Sequence, residues 1–473
     1  MFELHHLSAQ EQWEWLRRGD VTPRELTRHY VDRIARLDGE IGSFVTVTGE
    51  RALERADALL AAGRTAAPLW GLPLADKDLY DRAGVATWSG SRLSRGRVPT
   101  SDSGIVQAVD QAGAISLGKT ATPEFGLTSY TESLIGPPTR NPYDLALGPG
   151  GSSGGAAAAV AAGLVPAAPG SDGGGSIRIP AAATGLVGLK PSRGRVPSQS
   201  GLTSLGGLAV GGPLARTVAD AGMLLDALVS PDGLAPHDLY SVRAPENEAG
   251  SYLGAAVRGE GRFQVGVMTT SPWDDVYDVR IDPSVRDALD LTIDHLSAIG
   301  HGIDETTLPA ATYGRWFTQL WKAGAASIPA EGDDLDLLEP ITRWLVAQGR
   351  ALSARDLSEA LQGLATFERS VIERFAPFDA VLTPTLALPP RPIGWYDAED
   401  AEKNFEQQCL YAPFTSFVNV AGLPAISLPV HEVDGLPVGV QLIGRPGRED
   451  VLLAIGAQLE RRIRWQRRHP PQW

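Results

Sequence analysis

Two glycine–serine clusters are the part of the sequence best suited to chemistry. They read GPGGSSGG at 148–155 and GSDGGGSIRIP at 170–180, and they place Ser152 and Ser176 24 residues apart. Glycine is costly inside a helix or strand, so dense glycine indicates backbone that turns sharply or brings its N–H groups close to a partner. A serine in such a run can be a nucleophile, provided that a base lies within hydrogen-bond reach.

Lysine is the candidate source of that base. The chain has five lysines against a large arginine majority, so lysine is not filling generic surface positions. Lys77 follows an apolar segment, 69–74, that predicts a short strand, and α/β proteins usually place functional groups at strand ends. Lys77 is therefore the lysine whose position best fits a base for the two serines.

The elements that must position these residues alternate between helices and strands. Thr22 and Thr217 precede helices as caps, the first with Pro23 at the first helical position and Glu25 completing a capping box. Asp434-Gly435 predicts a hairpin. Strands are expected at 114–117, 185–191, 263–268, 302–308, 378–384, 425–430 and 438–443, and helices at 103–112, 218–228, 283–299 and 448–461, with helical patterns over 312–376. This alternation predicts the α/β class.

Composition narrows the classes of partner. The 473 residues are 43% apolar and 21% charged, which is ordinary for a globular protein. A net charge of −14 disfavours nucleic acid and anionic membrane surfaces as partners, and a small-molecule ligand fits better. The single cysteine, Cys409, excludes an internal disulfide framework, and the first residues have no secretion signal. We therefore expect a cytoplasmic protein without a membrane helix.

Three other patterns compete with lysine–serine chemistry. GAISLGKT at 113–120 matches the P-loop spacing, but its middle residues form the expected strand instead of following it. GGSSG at 150–154 matches a nucleophile elbow without the apolar strand that should precede it. The histidines that could complete its triad lie in polar surroundings: His237, His295, His301, His431 and His469. No HExxH or paired CxxC is present, and His5-His6 is typical of a solvated terminus, so no metal is expected.

With Lys77 added to the two serine clusters, the chain resembles the amidase signature family of C–N hydrolases, in its stand-alone bacterial form. The motifs that carry the likeness span nearly the whole chain: GLPLADKD at 71–78, GKTATPEFG at 118–126, TRNPYDLALGPGGSSGG at 139–155, GSDGGGSIRIPAAATGLVGLKPSRGRVP at 170–197, GPLARTVAD at 212–220, and the closing GLPAISLPV and GLPVGVQLIGRP.

The resemblance implies a role for each site residue. Ser176 would be the nucleophile, Ser152 a bridging serine after a cis peptide bond from Gly151, and Lys77 the base. The N–H groups of Gly173, Gly174, Gly175 and Ser176 would form the oxyanion hole. Ser153, Asp172 and Arg178 would support this loop, and neither a metal nor an organic cofactor is required.

The resemblance also implies the architecture. We expect an α/β fold with a large mixed, mostly parallel central sheet covered by helices on both faces. The chain would be a single amidase domain, with a helical N-terminal layer at 1–65 and a catalytic core at 66–228. A variable, helix-rich excursion would follow at 229–375, and residues 376–473 would complete the sheet.

A lysine base must be neutral near pH 7, so the pKa of Lys77 must fall by about three units from its usual value near 10.4. Burial under the serine–glycine layer could supply this because desolvation disfavours the ammonium form. Carboxylates at Asp76 or Asp78 would oppose it. We therefore predict that both point away from Lys77, toward backbone N–H groups or arginines.

The expected substrate is a small amide, ester or carbamate with a hydrophobic or aromatic character. The pocket is expected to include Phe125, Leu127, Tyr130, Trp316 and Trp321. Two other functions remain open: the A subunit of the glutamine-dependent tRNA amidotransferase, which shares the motifs, and a non-catalytic binding protein on the same fold. A monomer or homodimer is expected, without nucleic acid or membrane partners.

Overall fold

The computed structural model describes residues 3–196, 204–229, 251–308 and 312–473. Within them the strands are β1 Phe44–Val47, β2 Pro73–Lys77, β3 Ile115–Thr120, β4 Ala167–Asp172, β5 Val187–Lys190, β6 Val210–Ala215, β7 Gln264–Val267, β8 Gly302–Glu305, β9 Ala380–Pro384, β10 Ala425–Val433 and β11 Leu436–Gly444. The α-helices are α1 Ala9–Arg18, α2 Pro23–Ile41, α3 Gly49–Ala62, α4 Gly104–Gln111, α5 Gly154–Ala161, α6 Arg178–Ala183, α7 Val218–Leu228, α8 Tyr252–Arg258, α9 Pro283–Ile299, α10 Tyr313–Ala325, α11 Pro340–Arg350, α12 Ala354–Phe375, α13 Ala401–Tyr411, α14 Ser416–Val420 and α15 Glu449–Ile463.

A large mixed sheet forms the centre of the molecule, in the order β4-β6-β5-β10-β11-β9-β7-β8. The α/β class and the mixed sheet are therefore confirmed, but the expectation of mostly parallel pairing is wrong. From β4 to β9 every neighbouring pair is antiparallel, and the parallel pairs are those that β7 makes with β9 and β8. Strands that are buried on both faces have the continuous apolar pattern typical of parallel sheets, and that pattern does not reveal strand direction.

Both faces of this sheet are buried. On β10 and β11, Ile426 and Leu442 belong to one apolar core, while their chain neighbours Ala425 and Ile443 belong to another. Successive residues of a strand point to opposite faces, so each core lies on its own side of the sheet. The second core includes apolar residues of α10, α11 and α12.

A separate three-stranded sheet, β1-β3-β2, carries the candidate base. β2 runs parallel to β3 and pairs Lys77 with Thr120, while β1 runs antiparallel to β3. The GKT residues 118–120 lie within β3, as the rejection of a P-loop requires. β1 was not predicted, because the first 65 residues were expected to form helices alone.

Local signals in the sequence located several elements accurately. Thr22 caps α2 by accepting a hydrogen bond from the Glu25 N–H, in a complete capping box, and Thr217 caps α7. Asp434 and Gly435 have φ values of 52° and 77°, as the predicted hairpin between β10 and β11 requires. Residues 230–250 and 309–311 of the expected excursion at 229–375 lie outside the described residues. Among the residues described, no helix has both the length and the apolar character needed to cross a membrane.

Candidate active site

The Lys77 side chain contacts both serine clusters. Its Nζ donates to Ser152 Oγ at 2.7 Å and to Ser171 Oγ at 2.9 Å, with the Ser171 carbonyl at 3.5 Å. Lys77 lies at the end of β2 and is 0% exposed. The end of β2 therefore places the Lys77 amine against the hydroxyl of Ser152, although the two residues are about 75 positions apart in the chain.

The backbone holds the two clusters against each other. The Gly151–Ser152 peptide bond is cis, and the Ser153 N–H donates to the Ser176 carbonyl at 3.1 Å. A β-carbon at Gly151 would lie 2.7 Å from backbone atoms of Tyr130, so the close approach requires glycine. Ser176 is 8% exposed and lines a cavity that opens to solvent. Ser152 and Ser176 thus lie in adjoining segments, with Lys77 beneath Ser152.

Burial favours the neutral form of the Lys77 amine. It lowers the pKa of Lys77 to about 7, against a smaller opposing effect of the Asp172 carboxylate. The two neighbouring aspartates point away, as predicted. Asp76 accepts from Arg82 Nε at 2.6 Å, and Asp78 accepts from the Trp88 N–H at 3.1 Å. A substantial fraction of Lys77 is therefore neutral near pH 7.

Asp172 and Arg178 brace the loop that carries Ser176. Two nitrogens of Arg178 donate to the two carboxylate oxygens of Asp172, each at 2.9 Å. Arg178 also donates to Gln441 Oε1 at 2.6 Å and to Asn419 Oδ1 at 2.6 Å. Although burial alone would raise the pKa of Asp172, the adjacent guanidinium holds it well below its usual range. This ionised pair fixes the loop to α14 and to the large sheet.

The loop at 173–176 has fewer open N–H donors than the sequence suggested. The Gly175 N–H donates to Asp172 Oδ1 at 2.7 Å, so it serves the brace. Among the described residues, no acceptor is assigned to the N–H groups of Gly173, Gly174 or Ser176. Three of the four expected donors are therefore open, and the Asp172 carboxylate explains the loss of the fourth.

The cavity beside Ser176 has a volume of about 480 Å³, which includes its mouth. Leu127 and Trp321 line it, as expected. The other three residues predicted for the pocket lie elsewhere. The Tyr130 ring stacks on Tyr396 with centroids 4.1 Å apart, and the Trp316 ring packs on the α12 backbone at Gly363. The Phe125 N–H donates to Ser89 O at 2.8 Å in a short turn outside the lining.

Sequence reasoning missed most of the cavity wall. Its further aromatic members come from a loop after β7, from α10 and from α13, and its polar members include a residue of α14: Trp273, Phe317, Phe405 and Ser416. Phe317 lies one helical turn before Trp321 on α10 and follows the same apolar spacing. Helical spacing identifies a buried face and cannot tell a core from a pocket wall.

In the part of the chain that the structure describes, one group of side chains has the separation of metal ligands. Ligand atoms of Glu3, His5 and His29 lie within 4.8 Å of one another, and His5 Nδ1 is 3.1 Å from His29 Nε2. The sequence indicated no partner for His5, because His29 comes from α2. The Arg33 guanidinium, 3.8 Å from the Glu3 carboxylate, opposes a cation there. These residues do not line the cavity.

Comparison with known proteins points to one family. The family model described as Amidase matches residues 25–453. The chain is 36% identical over 474 residues to the putative amidase AmiB2 of Mycobacterium tuberculosis, which covers 99% of this chain and 98% of that protein. It is also 34% identical over 496 residues to the A subunit of the glutamyl-tRNA(Gln) amidotransferase of Chromohalobacter salexigens, with 99% of each covered.

Comparison with solved structures indicates the same family. The fold matches that of 6-aminohexanoate cyclic dimer hydrolase complexed with substrate, with a TM-score of 0.89 and 30% identity over 99% of this chain and 100% of that one. It also matches a bacterial aryl acylamidase of the amidase signature enzymes family, with a TM-score of 0.86 and 26% identity over 98% and 97% of the two chains.

Proposed function

The chain belongs to the amidase signature family and is an amide hydrolase, and we propose that it works through an acyl-enzyme on Ser176. In this proposal Lys77 is the base and Ser152 is the proton relay. The observation that carries it is the 2.7 Å contact between Lys77 Nζ and Ser152 Oγ, made by a lysine whose pKa is lowered to about 7.

Neutral lysine has two N–H bonds and one lone pair. In the neutral amine the two N–H bonds are donated to the Ser171 hydroxyl and carbonyl oxygens, and the lone pair accepts from the Ser152 hydroxyl, which reverses the donation that the ammonium form makes to Ser152. Lys77 takes the Ser152 proton as Ser152 takes that of Ser176, and Ser176 Oγ attacks the amide carbonyl carbon. The N–H groups of Gly173, Gly174 and Ser176 stabilise the resulting oxyanion, each contributing about 3 kcal/mol.

The same relay runs backwards to release the amine. The proton held on Lys77 passes through Ser152 to the leaving nitrogen, and the C–N bond breaks to leave an ester on Ser176. Water then attacks this ester with the same proton transfers and frees the carboxylic acid. Aryl esters and carbamates have the same acyl chemistry and are proposed as further substrates.

The cavity wall favours neutral substrates. Its apolar part consists of aromatic and aliphatic side chains, and its polar part of serine, threonine and glutamine groups. No charged side chain is among these described lining residues, so a charged acyl group would lose hydration without a partner. We propose amides of uncharged, apolar acyl groups, including anilides.

Single substitutions and covalent labelling test the mechanism. Ser176→Ala should abolish hydrolysis of an anilide, and Ser152→Ala or Lys77→Ala should each lower kcat by about a thousandfold or more. A serine-directed phosphonate fluoride should label Ser176 in the folded wild-type protein. Near-wild-type turnover by Lys77→Ala would overturn the relay. A folded protein without an adduct would favour a non-catalytic binding protein.

The amidotransferase A-type chain is the second candidate, because this chain is 34% identical to such a protein over its full length. Around 120–133 this chain reads TATPEFGLTSYTES, which departs from the pattern expected of that protein. Glutamine hydrolysis, or copurification with a partner chain, would support this candidate. Hydrolysis of anilides without glutaminase activity would favour the stand-alone amidase.

Three expectations stay predictions. They are a cytoplasmic location, a monomer or homodimer without nucleic acid or membrane partners, and a single amidase domain with the four segments given above. Size-exclusion chromatography with light scattering would measure the oligomeric state.

A further inference from the structure

The hydroxyl of Ser416 accepts two hydrogen bonds from buried aromatic side chains. Trp273 Nε1 donates to Ser416 Oγ at 3.2 Å, and the Tyr313 hydroxyl donates to it at 2.8 Å. An indole N–H can only donate. Tyr313 is 0% exposed, and no other acceptor for its hydroxyl is assigned in the described part of the chain. Its proton is therefore used on Ser416.

This arrangement fixes the direction of the Ser416 proton. A serine hydroxyl has two acceptor lone pairs and one donor hydrogen, and both lone pairs are already occupied. Within the described residues, no protein acceptor is assigned to that hydrogen. Ser416 is 6% exposed and lines the cavity together with Ser176. The Ser416 hydroxyl in the cavity wall is therefore available to donate a hydrogen bond to a molecule bound in the cavity.

The donor lies close to the proposed reaction centre. A β-carbon built on Gly174 would lie 3.8 Å from Ser416 Cβ, and at the same distance from Phe317 Cζ and Trp321 Cη2. Ser416 is thus beside the loop that carries the oxyanion donors, among aromatic rings. The acyl group is the part of the substrate that becomes attached to Ser176, so an acyl chain beside this loop would lie within reach of Ser416.

We propose that Ser416 is a substrate-binding residue that donates a hydrogen bond to an acceptor atom on the acyl group, close to the scissile carbonyl. The substrate class is an uncharged amide whose acyl chain carries an ether or carbonyl oxygen near that carbonyl. This assignment rests on the proposed function. Trp273 and Tyr313 act as positioning residues, because they occupy the lone pairs that would otherwise let the hydroxyl turn away.

A matched substrate pair tests the assignment. The para-nitroanilides of methoxyacetic and butyric acids have the same chain length and differ by an ether oxygen in place of a methylene. Ser416→Ala should lower the ratio of kcat/KM for the methoxyacetyl over the butyryl substrate by about 3- to 10-fold, the value of one neutral hydrogen bond. The difference in carbonyl reactivity between the two substrates cancels, because each variant is compared with the wild type.

Two further variants keep the test decisive. Ser427→Ala is the matched control, since Ser427 is a buried serine bonded to Thr385 and outside the lining, and its ratio should equal that of the wild type. Ser416→Ala leaves both the Tyr313 hydroxyl and the Trp273 N–H without their acceptor. The double variant with Tyr313→Phe removes one of these two unpaired donors and should show the same lowered ratio.

The outcomes separate the two proposals. If wild-type enzyme hydrolyses both anilides through Ser176 but the ratio changes less than about twofold in both Ser416 variants, the Ser416 assignment is wrong and the mechanism stands. If the wild type hydrolyses neither anilide and Ser176 is not labelled, the proposed function fails and the assignment fails with it.

Discussion

Replacing Ser171 by aspartate should disable the proposed base at neutral pH and restore it in alkali. Ser171 Oγ lies 2.9 Å from Lys77 Nζ, so Ser171→Asp places a carboxylate beside the amine. The present hydrogen-bond partners of Lys77 are hydroxyl and carbonyl groups, and burial holds its pKa at about 7. A carboxylate favours the ammonium form and therefore raises that pKa.

The size of the effect follows from the separation of the charges. Two unit charges about 4 Å apart attract by about 4 kcal/mol at an effective dielectric constant of about 20. Desolvation of the new carboxylate offsets part of this, so we expect the pKa of Lys77 to rise by about two units. The neutral fraction at pH 7 then falls from about one half to about 1%, so kcat/KM should fall about 50-fold.

The assay is the dependence of kcat/KM on pH, from about pH 5.5 to about pH 10.5, with a para-nitroanilide substrate. In the wild type, activity should rise with pH through about 7, because the neutral amine is the active form. Ser171→Asn has a similar shape without the charge and should keep its rise near that pH. Ser171→Asp should rise about two pH units later and approach the Ser171→Asn value in alkali.

Two results would refute this reasoning. One is a Ser171→Asp profile that coincides with that of Ser171→Asn. The other is a wild-type profile without a rise near pH 7. Thermal melting of both variants checks that any loss of activity does not come from unfolding.

Two further predictions concern stability. Arg178→Met leaves the buried Asp172 carboxylate without its cation and should lower the free energy of unfolding by about 3 to 5 kcal/mol, which would be measured as a lower Tm. Adding Asp172→Asn should recover part of the lost stability. An unchanged Tm in the single variant would contradict this prediction. Burial and the neighbouring Glu124 carboxyl raise the pKa of Glu339 to about 8. The protonated group therefore stabilises the fold. This contribution is full below the unfolded pKa near 4.3 and is lost as pH rises through about 8. Glu339→Gln should therefore flatten the fall of Tm between about pH 5 and about pH 8, and an equally steep fall would contradict this.

Local sequence signals predicted a large part of the fold. Caps such as Thr22 and Thr217, apolar runs and the Asp434-Gly435 turn act over a few residues, so their structural outcome is readable without tertiary contacts. Strand direction is different, because a strand buried on both faces has one apolar pattern whichever way its neighbour runs. The antiparallel pairing was for that reason not foreseen. The strand β1 was missed for another reason: it is short and only partly buried, and it lies in a segment that was expected to form helices alone.

By itself, the sequence determined which residues could act. The glycine–serine clusters, the rarity of lysine and the motif order singled out Lys77, Ser152 and Ser176, and they implied the amidase signature family. These conclusions depend on residue types and on their spacing along the chain, and both can be read without knowing the three-dimensional structure.

The tertiary structure decided what those residues can do. The pKa of Lys77 depends on burial by segments far away in the chain, and the loss of the Gly175 donor depends on the position of one Asp172 oxygen. The Ser416 donor needs Trp273 and Tyr313, which come from other elements. Desolvation and hydrogen-bond direction are properties of three-dimensional neighbours, and no spacing along the chain specifies them.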